Sequence, residues 1–362
     1  MESGRRRQSK KTYGTKREAQ VALAEAIAAH ERHDFVAPTD VTLDAYADDW
    51  IDGLIARGRK PSTIRGYRAN LRNYILPTLG RWKLQDLRTG EFDQLYTHLL
   101  TRGGRDGDGL SLTTVHQVHT QLVKMFNDAE RKGLVVKNIA RLADAPSASA
   151  ARQARGDMAV WTPAELSRFL EHASWTRSAA MMRLLAMTGM RRGELVALEW
   201  SDVDLSAATV RIRSSASIVD GAEVIDSPKT RQARRTLDID AETLAVLKAH
   251  RAAQLQDLMA IGAPTGQRVF TNEIGEPLRP NSIGQAFRRL VDSCDVPRIR
   301  LHDLRHTHAT HLLAAGVNAR VVSERLGHSS VSFTLDTYGH VMPGQQADAA
   351  AAAAALLTNP GG

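Results

Sequence analysis

Apolar residues along most of this chain recur at three- and four-residue spacing, and one short region switches to a period of two. An Ala-rich amphipathic helix is expected over 16–30, with Thr15 as its N-cap and Glu18 completing a capping box. Helical spacing holds from 41 to about 145. Leu43, Tyr46, Trp50 and Leu54 mark a helix that begins at Thr42. After the break at Lys60-Pro61-Ser62, Ile64, Tyr67, Leu71, Tyr74 and Ile75 form the apolar face of a second helix, which Pro77 and Gly80 should stop. Arg65, Arg68 and Arg72 lie on its opposite face. Two further helices are expected over 91–101 and 112–132, and the Gly-rich 102–109 loop between them reads as mobile.

The stretch 143–157 carries almost no large apolar residue and reads as a linker. Beyond it, Trp161-Thr162-Pro163-Ala164-Glu165 is a strong helix start, with Thr as cap, Pro at the first position and Glu at the third. Helices are expected over 178–188 and 192–198. TVRIRSS (209–215) and EVIDSPKTRQARRTLDI (223–239) then read as short strands of one small antiparallel sheet. Helical patterns resume over 241–261, 280–294 and through 301–340, and an Ala-rich tail follows over 345–357. The fold class is therefore mainly α with a small antiparallel sheet (α+β). Its parts are an N-terminal segment (1–36), a helical domain (41–145), a linker (146–157), a second domain (158–342) and the tail (343–362).

Charge narrows the function classes. The net charge is +8 and the pI about 9.8. Arg5, Arg6, Arg7, Lys10, Lys11, Lys16 and Arg17 crowd the N-terminus against the single acid Glu2. Clustered cations at high pI are the footprint of a nucleic-acid binder or of a solvated basic surface. No window is apolar enough for a membrane span, and no signal-like apolar segment follows the basic start. The lone cysteine, Cys294, rules out an internal disulfide framework and reads as a small core residue in a reducing cytosol.

Cutting a phosphodiester without a metal requires permanent cations for the non-bridging oxygens, a proton donor for the leaving oxygen and a side-chain nucleophile. One set of residues offers these. Arg191 and Arg192 sit at a Gly-marked break before a helix, and the planar fork of arginine suits two phosphate oxygens. Lys229 lies in a turn between strands. His302 and Arg305, three apart, share a helix face, His328 follows a helix ended by Gly327, and Tyr338 lies on a last short helix. His306, His308 and His311 invite a metal reading, since His302 and His306 are four apart. Asp-Leu-Arg between those two places a cation where a metal would sit, which weighs against it. Taken one at a time the bland readings lead: a lone Tyr is usually core or surface, and an Arg row is usually a solvated face.

Together, TGMRRGELVALEW (188–200), PKTRQARRTL (228–237), HDLRHTHATHLLAAG (302–316) and LGHSSVSFTLDTYGH (326–340) resemble the successive boxes of the tyrosine recombinases, the phage-integrase family. The resemblance covers roughly 161–341. The helical domain with its Arg row resembles the family's core-DNA-binding domain, and KTYGTKREAQVALAE resembles the end of an arm-site-binding domain. The resemblance implies a helical core-binding domain plus a tyrosine-recombinase catalytic domain. It implies roles too: Tyr338 as nucleophile forming a 3′-phosphotyrosyl bond, His302 as proton acceptor, Arg191 and Arg305 clamping the phosphate, His328 adding a hydrogen bond and Lys229 protonating the 5′-oxygen. Arg65, Arg68, Arg72, Arg192, Arg231, Arg234 and Arg235 become candidates for DNA contact. No metal, ATP or other cofactor is implied. The expected partners are double-stranded DNA at core attachment sites, three further copies of the chain around a Holliday junction, and an accessory DNA-bending or directionality factor. The expected location is the cytoplasm, at the nucleoid. An integrase of a phage or mobile element leads; a chromosome-dimer resolvase and a type IB topoisomerase are the alternatives.

Overall fold

The computed structural model describes residues 12, 14–31, 36–154, 158–219, 221–226, 234–264, 266–339, 350 and 354. Lys229, Arg231, most of the Ala-rich tail and the basic residues 1–11 lie outside them. The chain divides into two compact units, Met1–Gly156 and Asp157–Gly362.

In the first unit, α1 (Lys16–Glu31) opens with the expected capping box: Thr15 Oγ1 accepts the Glu18 N–H at 3.2 Å, and Glu18 accepts the Thr15 N–H at 3.1 Å. Next come α2 (Leu43–Ala56) and α3 (Pro61–Asn70). Pro77 does not stop that helix. The chain widens into a π-turn over Leu71–Ile75 and continues as α4 (Leu76–Leu79) up to Gly80. Proline lacks the N–H for the usual bond to the fourth residue back and crowds that carbonyl, and the π-turn just before it absorbs the mismatch. Helices α5 (Thr89–Arg102) and α6 (Leu112–Arg131) complete the core, with Phe92 edge-on to Phe126 at 5.3 Å. The 102–109 loop is closed by its own backbone bonds, Gly104 N–H to Asp108 O and Leu110 N–H to Leu99 O. The stretch expected to be a linker contains α7 (Ala148–Gln153), which packs on α6 through a buried Ala151 whose carbonyl accepts Thr113 Oγ1. The small residues that look like a linker are what let this helix lie close.

The second unit starts with α8 (Pro163–Ser174), capped reciprocally by Thr162 and Glu165 as its sequence requires, then α9 (Ala179–Thr188) and α10 (Arg192–Val196). The strands form two sheets, not one. β1 (Val203–Asp204), β2 (Thr209–Ile212) and β5 (Arg235–Asp238) make an antiparallel sheet with β2 in the middle. β3 (Ser215–Val219) and β4 (Ala222–Asp226) make a separate hairpin. The alternation in SASIV is too weak to announce a strand, and pairing with β4 is what makes it one. α11 (Ala241–Ala260), α12 (Pro280–Asp292), α13 (Asp303–Ala314), α14 (Ala319–Leu326) and α15 (Val331–Tyr338) follow. The fold is mainly helical with small antiparallel sheets.

Two features position the site. Trp161, 1% exposed, stacks among Phe169 and Phe287 and ties the start of α8 to α13: its N–H bonds Thr307 Oγ1 and its carbonyl accepts His311 Nε2 at 2.8 Å. Gly189 ends α9 at φ +62. A Cβ there would sit 2.6 Å from Leu326 Cδ2 and 2.9 Å from the His308 ring. Gly189→Ala is therefore expected to lower unfolding stability by about 2–4 kcal/mol, combining a left-handed penalty with overpacking. A denaturant titration showing less than about 1 kcal/mol would mean the α9–α14 packing yields easily.

Candidate active site

The site is built where two helices end. α9 stops at Gly189 and α14 at Gly327, both in the left-handed conformation. Each end leaves backbone carbonyls without helical partners. Arginines fill them. Arg305, 4% exposed, donates from Nη1 to Gly189 O and from Nη2 to Leu326 O, both at 2.7 Å. Arg191, the N-cap of α10, donates from Nη2 to Gly327 O at 2.9 Å across 136 positions of sequence. One guanidinium reaches both helix ends and the other fastens beside it. Each retains further N–H donors.

Glu194 braces them. It is 4% exposed and accepts Arg191 Nη1 at 2.7 Å, the Arg191 backbone N–H at 2.9 Å and Arg235 Nη2 at 2.8 Å. Burial by itself would raise its pKa, but the bonds and charge of Arg235, with help from Arg191, more than offset that and hold it below the ordinary carboxylate range. Arg235 corrects an expectation. Its side chain is 6% exposed and bonded to Glu194 and, at 2.6 Å, to Arg325 O, so it is a structural brace and not a DNA contact. A strand places it on the inner face, which a run of cations in sequence does not reveal.

Tyr338 projects from the end of α15 into a small apolar cluster of Ala309, Leu313, Val322 and Leu326, where it is 1% exposed. Its hydroxyl is 2.6 Å from His306 Nδ1. The acceptor expected at His302 is thus not the group in contact. His302 lies solvent-exposed at the start of α13, edge-on to the His306 ring at 5.1 Å. His328, 8% exposed, stacks parallel to the Tyr338 ring and engages Thr334 Oγ1 through Nδ1 at 2.8 Å, leaving Nε2 for another partner.

The electrostatics ask for an anion. Among the described residues, Arg191 and Arg235 pair with Glu194, whose charge also acts on Arg305. Burial, then Arg191, lowers Arg305 to about 9, which leaves it cationic at neutral pH. Burial, then Arg305 and Arg191, pushes His328 down to about 3; burial, then His302, takes His306 to about 4. Packing around its ring, then Arg305, also lowers His302. Burial raises Tyr338 to about 12, with Arg305 pulling the other way. Charged phosphate oxygens would relieve this repulsion.

A pH dependence of stability follows. His308, 7% exposed, bonds Arg325 Nε and is lowered to about 3 by burial and then Arg325; His328 is lowered as far. A histidine held neutral in the fold but free to protonate in the unfolded chain stabilises above its ordinary pKa of 6.5. That stability is lost as pH falls below 6.5. The two together should make unfolding about 2–3 kcal/mol easier at pH 5.5 than at pH 7.5. Equal denaturant midpoints at the two pH values would show that these rings accept protons in the folded state.

Arg191, His302, Arg305, His328 and Tyr338 thus come together, while Lys229 and Arg231 fall in the segment joining β4 to β5, outside the described residues. Arg192 and Arg234 are exposed, as are, in the first unit, Arg65 and Arg68 on α3 and Arg72 in the π-turn that follows it. Among the described residues no three ligating side chains are grouped to hold a metal. The sequence alone does not single out Glu194, and it suggests His306 only as a metal ligand. The spacing of four from His302, which also suggests a metal pair, is the available signal for His306.

Residues 160–344 match the phage integrase family, and 42–100 match its N-terminal SAM-like domain. The chain belongs to the phage integrase family. As a tyrosine recombinase of that family it catalyses DNA cleavage and rejoining. Among its relatives, a "Tyrosine recombinase XerC-like" protein of Caldanaerobacter subterraneus subsp. tengcongensis is 28% identical over 94% of this chain and 90% of its own length. An "Integrase" of Streptomyces ambofaciens is 27% identical over 93% and 86%. In fold, the chain is similar to the Tn1549 transposon integrase in complex with transposon right end DNA (TM-score 0.67, 20% identity, 82% and 95% coverage). It is also similar to the lambda integrase tetramer bound to a Holliday junction (TM-score 0.60, 19% identity, 88% and 90% coverage). No described helix of this recombinase is long and apolar enough to cross a membrane.

Proposed function

We propose that this recombinase integrates and excises a phage or other mobile element, with Tyr338 as its nucleophile. The observation that carries the reading is the Tyr338 hydroxyl in one cluster with Arg191, Arg305 and His328. Tyr338 Oη attacks the scissile phosphorus, forming a 3′-phosphotyrosyl bond and releasing a 5′-hydroxyl. Arg191 and Arg305 bind the non-bridging oxygens through N–H groups not taken by the helix ends, and His328 adds a hydrogen bond from Nε2. His302, exposed beside them, contacts the phosphate. Lys229 protonates the departing 5′-oxygen. The new ester keeps the energy of the bond that breaks, so rejoining to another strand needs no ATP. The DNA is double-stranded core attachment sequence. Four copies act through a Holliday junction, the kind of DNA to which the lambda integrase tetramer is bound. Arg65, Arg68, Arg72, Arg192, Arg231 and Arg234 contact the DNA backbone, and an accessory factor sets direction at the nucleoid.

The test is covalent capture on nicked duplexes made from fragments of host and element DNA, followed by sequencing of the trapped ends. A junction between element and chromosome supports the reading. Capture at a chromosomal site with no element beside it would support chromosome-dimer resolution instead. Replacing Arg65, Arg68 and Arg72 by Ala should weaken binding across sequences and reduce the salt slope by about one for each phosphate no longer neutralised. An unchanged slope would make the row a solvated face.

A further inference from the structure

We propose that His306 is a catalytic residue of strand cleavage, the group that accepts the Tyr338 proton as the nucleophile attacks. This rests on Tyr338 being the nucleophile. His306 Nδ1 lies 2.6 Å from Tyr338 Oη, and it is the hydrogen-bond partner of that hydroxyl among the described residues. Tyr338 is 1% exposed, so bulk water is not the acceptor. His302, the alternative, meets the His306 ring edge-on but makes no bond to the hydroxyl.

The direction of the bond follows from chemistry. A phenol is a far stronger hydrogen-bond donor than a neutral imidazole N–H, and an imidazole sp² nitrogen is the better acceptor. Burial, then His302 and the nearby arginines, keeps the His306 imidazole neutral, so its Nδ1 lone pair is available while the proton sits on Nε2. A phosphate entering between Arg191 and Arg305 cancels much of the positive field and raises the basicity of His306 at the moment it is needed. The bonds balance. Oη–H breaks and its proton goes to Nδ1, Oη–P forms, and P–O5′ breaks, with the 5′-oxygen taking its proton from a separate acid. In rejoining, a 5′-hydroxyl gives its proton to the conjugate base of that acid and attacks, P–O5′ forms, P–Oη breaks, and the departing tyrosine takes its proton back from His306.

Two measurements on the full chain test this. In ¹⁵N NMR of the free protein, His306 should appear as the Nε2–H tautomer with Nδ1 accepting; an Nδ1–H tautomer overturns the proposal. Single-turnover adduct formation is then compared for wild type, His306→Ala and His306→Asn on a captured site, made once with a normal phosphodiester and once with a 5′-bridging sulfur, which needs no leaving-group acid. DNA binding by gel shift serves as the folding check. Both variants should be slowed about 100-fold or more on both substrates. Asn can accept the hydrogen bond but cannot carry the proton. Near-normal cleavage by His306→Asn would reduce His306 to positioning, rescue by the sulfur substrate would make it the acid, and faster cleavage by His306→Ala would make it a restraint; each overturns the proposal. A Tyr338→Phe adduct would instead remove the nucleophile on which it rests.

Discussion

Tyr338→Phe should bind DNA within a few-fold of wild type and form no covalent adduct. Phe keeps the ring that packs with Ala309, Leu313, Val322 and Leu326 and stacks on His328, so the cluster under α13 to α15 stays filled. Only the hydroxyl goes. The expected stability loss is about 1–2 kcal/mol, since His306 Nδ1 is left without its 2.6 Å partner in a partly buried place. The loss of cleavage is complete because a phenyl ring has no oxygen to bond phosphorus. The readout is adduct on a nicked duplex in a denaturing gel, with binding measured separately. Adduct persisting at wild-type level would assign the nucleophile elsewhere.

Glu194→Gln is the change with the largest expected effect on the fold. It removes the carboxylate charge that Arg191 and the nearly buried Arg235 share. Breaking a buried pair by removing one partner costs about 3–5 kcal/mol, and the half-exposed Arg191 argues for the lower end. Cleavage should fall as well, because Glu194 fixes where Arg191 points. The pH sign is that of a depressed acid: the stabilisation is fully present above the ordinary carboxylate pKa and is lost as pH falls through the lowered folded value. The variant should therefore lack that part of the acid sensitivity. A denaturant midpoint within about 1 kcal/mol of wild type would mean that water or relaxation replaces the carboxylate.

The legible parts of the chain are those whose signal is local. Thr15 with Glu18 and Thr162 with Glu165 announce their capping boxes within four residues, and both form. The spacing of Leu43, Tyr46, Trp50 and Leu54 survives as the buried face of α2. Non-local terms account for the misses. Pro77 reads as a stop, yet a π-turn absorbs it because the helix on both sides has a core to pack against. The alanines and serines of 148–153 read as linker, but α6 offers them a surface. A strand at 215–219 exists because 222–226 pairs with it.

The site divides the same way. Which chemistries are present is written in the chain itself, since arginines, histidines and a tyrosine in four ordered boxes are a property of composition and order. Which of them touch is a matter of packing. The folded chain turns Arg235 inward to Glu194, fastens Arg305 to the carbonyls of two helix ends, and sets the Tyr338 hydroxyl on His306 instead of His302. A hydrogen bond acts over about 3 Å, and the partners here stand 21 to 136 positions apart, so contact depends on how helices pack and not on how residues are spaced along the chain.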